Sequence, residues 1–138
     1  MNQVGEDIQD RLLKILKECP NIVVHDDVKN YIVKLSQPKV ASKILFTIAL
    51  LNNNGLSLGE RYIHRIWDSK YRLWELRIRF AKDRERVLFF TLVDGKFLLT
   101  RCFNKTTDKV PSIEIRRSER IYDQYLKDLK EKGDAGNE

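Results

Sequence analysis

The sequence predicts an α+β fold: an N-terminal helical hairpin packed on a small antiparallel β-sheet, with a C-terminal helix. Three observations predict it. Apolar residues recur at helical spacing up to Leu51. The period then shortens to two between Leu73 and Phe103, and it lengthens again after Pro111. Those periods are the ones a helix and a strand impose on a buried face, and helices gathered on one side of an antiparallel sheet make an α+β domain.

Residues 5–18 predict an amphipathic helix. Ile8, Leu12, Leu13 and Leu16 form its apolar stripe, and Glu6 and Asp7 suit its start. Pro20-Asn21 closes it, and the β-branched run Ile22-Val23-Val24 predicts a short first strand. Asp26 or Asp27 can cap the next helix, in which Val28, Tyr31, Ile32 and Leu35 lie on one face. Ser36-Gln37-Pro38 breaks it. A further helix runs from about Val40 to Leu51, with Val40, Ile44, Leu45, Ile48 and Leu51 inward, and completes the hairpin. Gly55 can take the left-handed conformation that often stops a helix.

Leu73 to Phe80 alternates, with Trp74, Leu76, Ile78 and Phe80 on one face and Glu75, Arg77 and Arg79 on the other. Glu85 to Val93 is almost continuously apolar, as a strand covered on both faces would be. Asp94-Gly95 is a strong hairpin signal and leads into a third strand, Lys96 to Phe103. Ser112 can cap a last helix to about Lys132, with Ile115, Tyr122, Tyr125 and Leu129 inward. Residues 1–24 are expected to form an extension, 25–132 the main domain and 133–138 a frayed tail.

Composition narrows the function. The 138 residues suit one domain, and 42% hydrophobic content argues against disorder. No apolar run is long enough to span a bilayer, and Glu6, Asp7 and Asp10 stand where a signal peptide would be basic, so a cytoplasmic protein is expected. Cys19 and Cys102 are far apart and read as reduced thiols, Cys102 buried in its strand. His25 and His64 sit in no metal-ligand spacing, so no metal or cofactor is expected, and His64 reads as an exposed loop residue. The net charge is +6, and residues 61–120 hold about 16 Lys and Arg against about 8 Asp and Glu. A clustered surplus of that kind suits a polyanion, phosphate backbones included.

No glycine-rich phosphate loop, nucleophile elbow or paired-histidine helix is present. Cations on the predicted sheet stand out instead. Arg77 and Arg79 share a face, Arg86 opens the next strand, Arg101 lies on the third, and Lys105 and Lys109 follow it. A meander brings these groups together, and a cationic concavity can hold an RNA phosphate. The plainer readings are that Arg77 pairs with Glu75 and that Arg79, Lys82 and Arg84 are solvated near a turn. Trp74, Phe80, Phe89, Phe90 and Phe97 read as core, with Tyr122 and Tyr125 packing on the sheet.

Several segments in order carry a family resemblance. They are Leu73-Trp74-Glu75-Leu76-Arg77, Arg86-Val87-Leu88-Phe89-Phe90, the run from Phe103 to Pro111, and Glu114-Ile115, with Gly55-Leu56-Ser57-Leu58-Gly59 and Tyr62-Ile63 upstream. From about Asp27 to Leu129 the chain resembles the RelE/ParE superfamily of bacterial toxins, nearest to its HigB-type and phage-derived branch. The resemblance implies the toxin of a type II toxin–antitoxin pair, held by a cognate antitoxin, a helix-turn-helix DNA-binding protein, in a hetero-oligomer. It implies metal-independent cleavage of mRNA on the translating ribosome. Arg77, Arg86 and Lys105 then fall at catalytic positions. Arg79, Arg101, Lys109, Arg116, Arg117 and Arg120 fall among RNA-binding ones. Thr106 stands where the family commonly has a second lysine. A ParE-like gyrase inhibitor without nuclease activity, or a relative that merely binds RNA, are the alternatives.

Overall fold

A computed structural model describes residues 3–136. Helix α1 spans Gln3–Glu18, strand β1 Ile22–Val24, helix α2 Asp26–Lys34 and helix α3 Pro38–Asn54. After a 3-10 turn at Gly55–Leu58 come β2 (Ile63–Ile66), β3 (Leu73–Phe80), β4 (Asp83–Thr91) and β5 (Phe97–Asn104), and α4 (Ser112–Gly136) follows. The chain is α+β, as expected, but two features correct the expected plan. The sheet has five strands in the order β1-β5-β4-β3-β2, and it is mixed because β1 runs parallel to β5. Three helices precede the meander, and they do not share a side with the last one.

The two faces explain this layering. Leu76, Ile78, Val87, Phe89, Leu99 and Cys102 bury against α1, α2 and α3. Leu73, Leu88, Phe90 and Phe103 bury against Ile115 and Tyr122 of α4. The central strand β4 is therefore apolar on both sides, which is why its sequence shows no alternation. Truncating Phe89, which is wholly buried, would cost about 3–5 kcal/mol by the usual large-to-small scale.

The helices follow their stripes, with local exceptions. Val40, Ile44, Leu45, Ile48 and Leu51 of α3 are all buried, as are Val28 and Ile32 of α2. On α1, Ile8 and Leu12 are buried but Leu13 faces solvent. The side chains of Glu6 and Asp7 lie outside the described residues. The cap of α2 is His25, whose Nδ1 accepts from the Asp27 N–H at 3.1 Å, and neither aspartate takes that place. Gly55 ends α3 at φ 59°, and Phe97 would lie 3.4 Å from an added Cβ. The expected tail at 133–138 is helical as far as Gly136, and its last two residues lie outside the described range.

In the meander, β4 ends at Thr91, and the Leu92–Lys96 turn leaves Val93 fully exposed. A bulge between Leu88 and Phe89 shifts the β4–β5 register. The hydroxyl of Thr100 there donates to the Leu88 carbonyl at 3.1 Å and lies 2.7 Å from that of Ser118 on α4. Tyr122 stacks on Phe90 with ring centres 4.3 Å apart, as expected of it. Cys19 and Cys102 are buried free thiols, and burial pushes the Cys102 thiol well up. No helix among the described residues is long and apolar enough to cross a membrane.

Candidate anion-binding site

Alternation on β3 puts Glu75, Arg77 and Arg79 on the face that α4 covers only in part. The two-residue turn Ala81-Lys82 returns the chain so that Arg84 lies opposite Arg79 and Arg86 opposite Arg77. Ala81 takes φ 55° there, a left-handed conformation that costs a residue with a Cβ about 1–2 kcal/mol. Like charges directly opposite one another destabilise a strand pair, and this face holds two such pairs. From β5 the chain brings Lys105 to the same place, its backbone N–H donating to the Arg84 carbonyl at 2.8 Å.

Glu75 holds the cluster together. It is 1% exposed, and Arg77 Nε donates to its Oε1 at 2.6 Å. Arg86 Nε and Lys105 Nζ each stand 3.7 Å from Oε2. Arg86 and Lys105 are themselves 4% and 7% exposed. Both the Glu75 Oε2 atom and Arg86 Nε are buried without a hydrogen-bond partner, so their contact is electrostatic. Burial lowers the proton affinity of Lys105, Glu75 raises it, and Arg86 and Arg77 lower it again, with a net fall. Burial likewise lowers that of Arg86 against the pull of Glu75.

Above this cluster opens a pocket of about 540 Å³, walled by Arg77, Arg79, Lys82, Arg84, Arg86 and Lys105, with Asp108 at its side. A second cleft of about 370 Å³ shares Arg77, Lys105 and Asp108 with it and extends past Lys109 to His64, Arg65 and Trp67. The two form one cationic surface. It is suited to holding a phosphodiester by guanidinium forks while an amine with a weakened hold on its proton stands beside it.

The expected site residues divide accordingly. Arg77, Arg79, Arg86 and Lys105 come together in the pocket, and Lys109 lines the adjoining cleft. Arg101 does not join them. Its guanidinium bridges Glu114 at 2.9 and 3.3 Å and Asp27 at 3.0 Å, tying α4 to α2. Arg116 and Arg117 lie on α4, paired with Glu119 and Glu114, and Arg120 is exposed on the same helix. The Arg77–Glu75 pair is present, and Lys82 and Arg84 are exposed yet line the pocket. Phe80, expected in the core, is partly exposed at the end of β3. His64 is half-buried on β2 opposite Glu75, not in a loop. Missed from the sequence were the burial of Glu75 and the place of Trp67, an exposed tryptophan next to a basic strand being its only signal.

A small mixed-sheet α+β chain with a cationic, carboxylate-centred pocket on one sheet face makes a candidate anion-binding class. Within it the kinship is specific: residues 30–123 match the family model described as phage-derived protein Gp49-like, and the chain belongs to that family. A search of curated proteins finds none that matches. This membership is compatible with a toxin of a toxin–antitoxin system.

Proposed function

We propose that the chain is the toxin of a type II toxin–antitoxin pair, a HigB-like member of the RelE/ParE superfamily that cuts mRNA on the translating ribosome without a metal. One observation carries the reading. Arg77, Arg86 and Lys105 converge on a single buried carboxylate beneath an otherwise cationic pocket, at a cost in stability that an anionic ligand would offset. Kinship with the Gp49-like family supports it. In this reading residues 25–132 are the toxin domain, and 1–24 are an extension whose Ile8 and Leu12 enter the same core.

The chemistry follows from the groups present. Arg77 and Arg86 grip the non-bridging oxygens of a phosphodiester. The 2′-hydroxyl of the preceding ribose attacks phosphorus, and the bond to the 5′-oxygen breaks, the departing oxygen taking a proton from solvent, which leaves a 2′,3′-cyclic phosphate and a 5′-hydroxyl. Neutral Lys105 takes the 2′-hydroxyl proton and, once charged, stabilises the phosphorane. Its lowered proton affinity enlarges the neutral fraction available for that step. Glu75 is a positioning residue: it holds the three cations and touches no substrate. Arg79, Lys109 and the α4 arginines Arg116, Arg117 and Arg120 extend this grip along the RNA, and Arg101 shares Glu114 with Arg117. A helix-turn-helix antitoxin binds the toxin in a hetero-oligomer.

The test is a translation extract charged with one mRNA and the purified protein, with primer extension to map breaks. Cuts in ribosome-bound mRNA that end in cyclic phosphate, lost with Arg77→Ala and Lys105→Ala, are expected. Uninterrupted translation together with arrested DNA supercoiling by gyrase would replace this reading with the ParE-like one.

A further inference from the structure

The loop joining β2 to β3 presents Trp67 with 80% of its surface exposed, a large aromatic face open to solvent. The ring is buttressed from behind. The Arg65 guanidinium lies 4.8 Å from its centre and 5.4 Å from that of Trp74, so the cation is shared between two indoles. Arg65 makes no ion pair among the described residues, its Nε is buried without a hydrogen-bond partner, and its Nη2 donates to the Tyr71 carbonyl at 3.4 Å. The rings are the main partners of its charge.

The loop is also fixed in place. Glu119 of α4 accepts from the Ser69 hydroxyl at 2.9 Å and from the Lys70 backbone N–H at 3.2 Å, and the Tyr71 hydroxyl bonds Asp123. Against the upward push of burial, bonds from Arg116, Ser69 and Lys70 hold the Glu119 carboxyl below its ordinary range. An indole held this way gives up little freedom when a flat ligand stacks on it. Trp67 walls the same cleft as Arg77, Lys105 and Lys109, and that cleft opens into the phosphate pocket. His64, Asp68 and Asp108 supply donors and acceptors around it.

We propose that Trp67, backed by Arg65, is a stacking platform for a nucleobase of the RNA whose phosphate sits among Arg77, Arg86 and Lys105. The proposal rests on the nuclease reading and adds a base subsite to it. Stacking on an aromatic ring tolerates any base, so Trp67 sets where the strand lies, and the polar groups around the cleft set which base is preferred. Trp67 is therefore a substrate-binding residue, separate from the cations that hold the phosphate.

The experiment is a fluorescence titration of the full chain with a five-nucleotide single-stranded RNA and with a five-unit ribose-phosphate strand lacking bases. Trp67 and Trp74 are the only tryptophans, so Trp67→Phe and Trp67→Ala leave Trp74 as an internal reference. The base-bearing strand should quench wild-type emission and bind at least about five-fold more tightly than the abasic one. Trp67→Ala should erase that ratio, Trp67→Phe should keep most of it, and Arg77→Ala should weaken both strands alike. Equal binding of the two strands by wild-type protein, or an unchanged ratio in Trp67→Ala with unaltered urea unfolding, overturns the platform. So does a Trp67→Ala variant that loses only its grip on a protein partner. The nuclease reading stands or falls separately, on mRNA cuts in the translation extract.

Discussion

Replacing Glu75 by Gln tests whether one carboxylate holds the site together. Arg86 Nε and Lys105 Nζ each lie 3.7 Å from Oε2, so at an effective dielectric near 20 each attraction is about 4.5 kcal/mol. The burial of all three ions offsets much of that sum, and breaking such a pair costs about 3–5 kcal/mol net. Gln worsens the geometry. If its oxygen keeps the bond from Arg77, its amide hydrogens face Arg86 and Lys105, donors against donors. The expected loss in urea unfolding followed by tryptophan emission is therefore about 3–5 kcal/mol, or about 10–17 °C in Tm for a chain this long. Adding Lys105→Met removes one stranded cation and should recover part of it. A Glu75→Gln loss below about 1 kcal/mol would refute the reasoning, because it would mean that water screens the cluster.

Further outcomes follow from the same geometry. Lys105→Met should abolish mRNA cutting and cost less stability than Glu75→Gln, since Glu75 keeps Arg77 and Arg86 and burial disfavours the charge removed; activity assays beside urea curves check it. The sign with pH is set by the lowered proton affinity of Lys105. The unfolded chain binds more protons below its ordinary value of 10.5, so wild-type stability should gain more with rising pH in that window than that of Lys105→Met. Arg77→Ala should release growth arrest in cells and leave the protein folded, at a loss of about 1.5–3 kcal/mol from its charged hydrogen bond to Glu75; a growth assay with circular dichroism measures both. Arg101→Ala should lose about 1.5–3 kcal/mol from its charged hydrogen bonds to Glu114 and Asp27, yet keep mRNA cutting at temperatures where it stays folded.

Much of the fold was legible because it is local. The stripe of α3, the alternation of β3 and the doubly apolar β4 are each set by neighbours within a few residues. Strand β2 was not. Ile63 and Ile66 are its two buried residues, a spacing that suits one face of a helix but puts them on opposite faces of a strand, and pairing with β3 decides for the strand. The parallel place of β1 beside β5 is also invisible locally. At the site, the pattern put Arg77, Arg86 and Lys105 near one another, but the depth of Glu75 depends on three strands meeting. Arg101 looked like a free cation because its partners come from α2 and α4, far away in sequence.

The pairing of β1 with β5 has a consequence for biosynthesis. Ile22 meets Phe97, 75 positions further along, so the first strand made must wait for the last. At about 5–20 residues per second that delay is about 4–15 s on the ribosome. During it α1 and β1 have no sheet edge to join, and closing so long a loop is slow in any case. Lys105 follows directly on β5, and its backbone bond to Arg84 completes the cationic pocket. The growing chain thus carries no finished site until its N-terminal strand can dock as well, and maturation couples the last part of the pocket to the closing of the sheet.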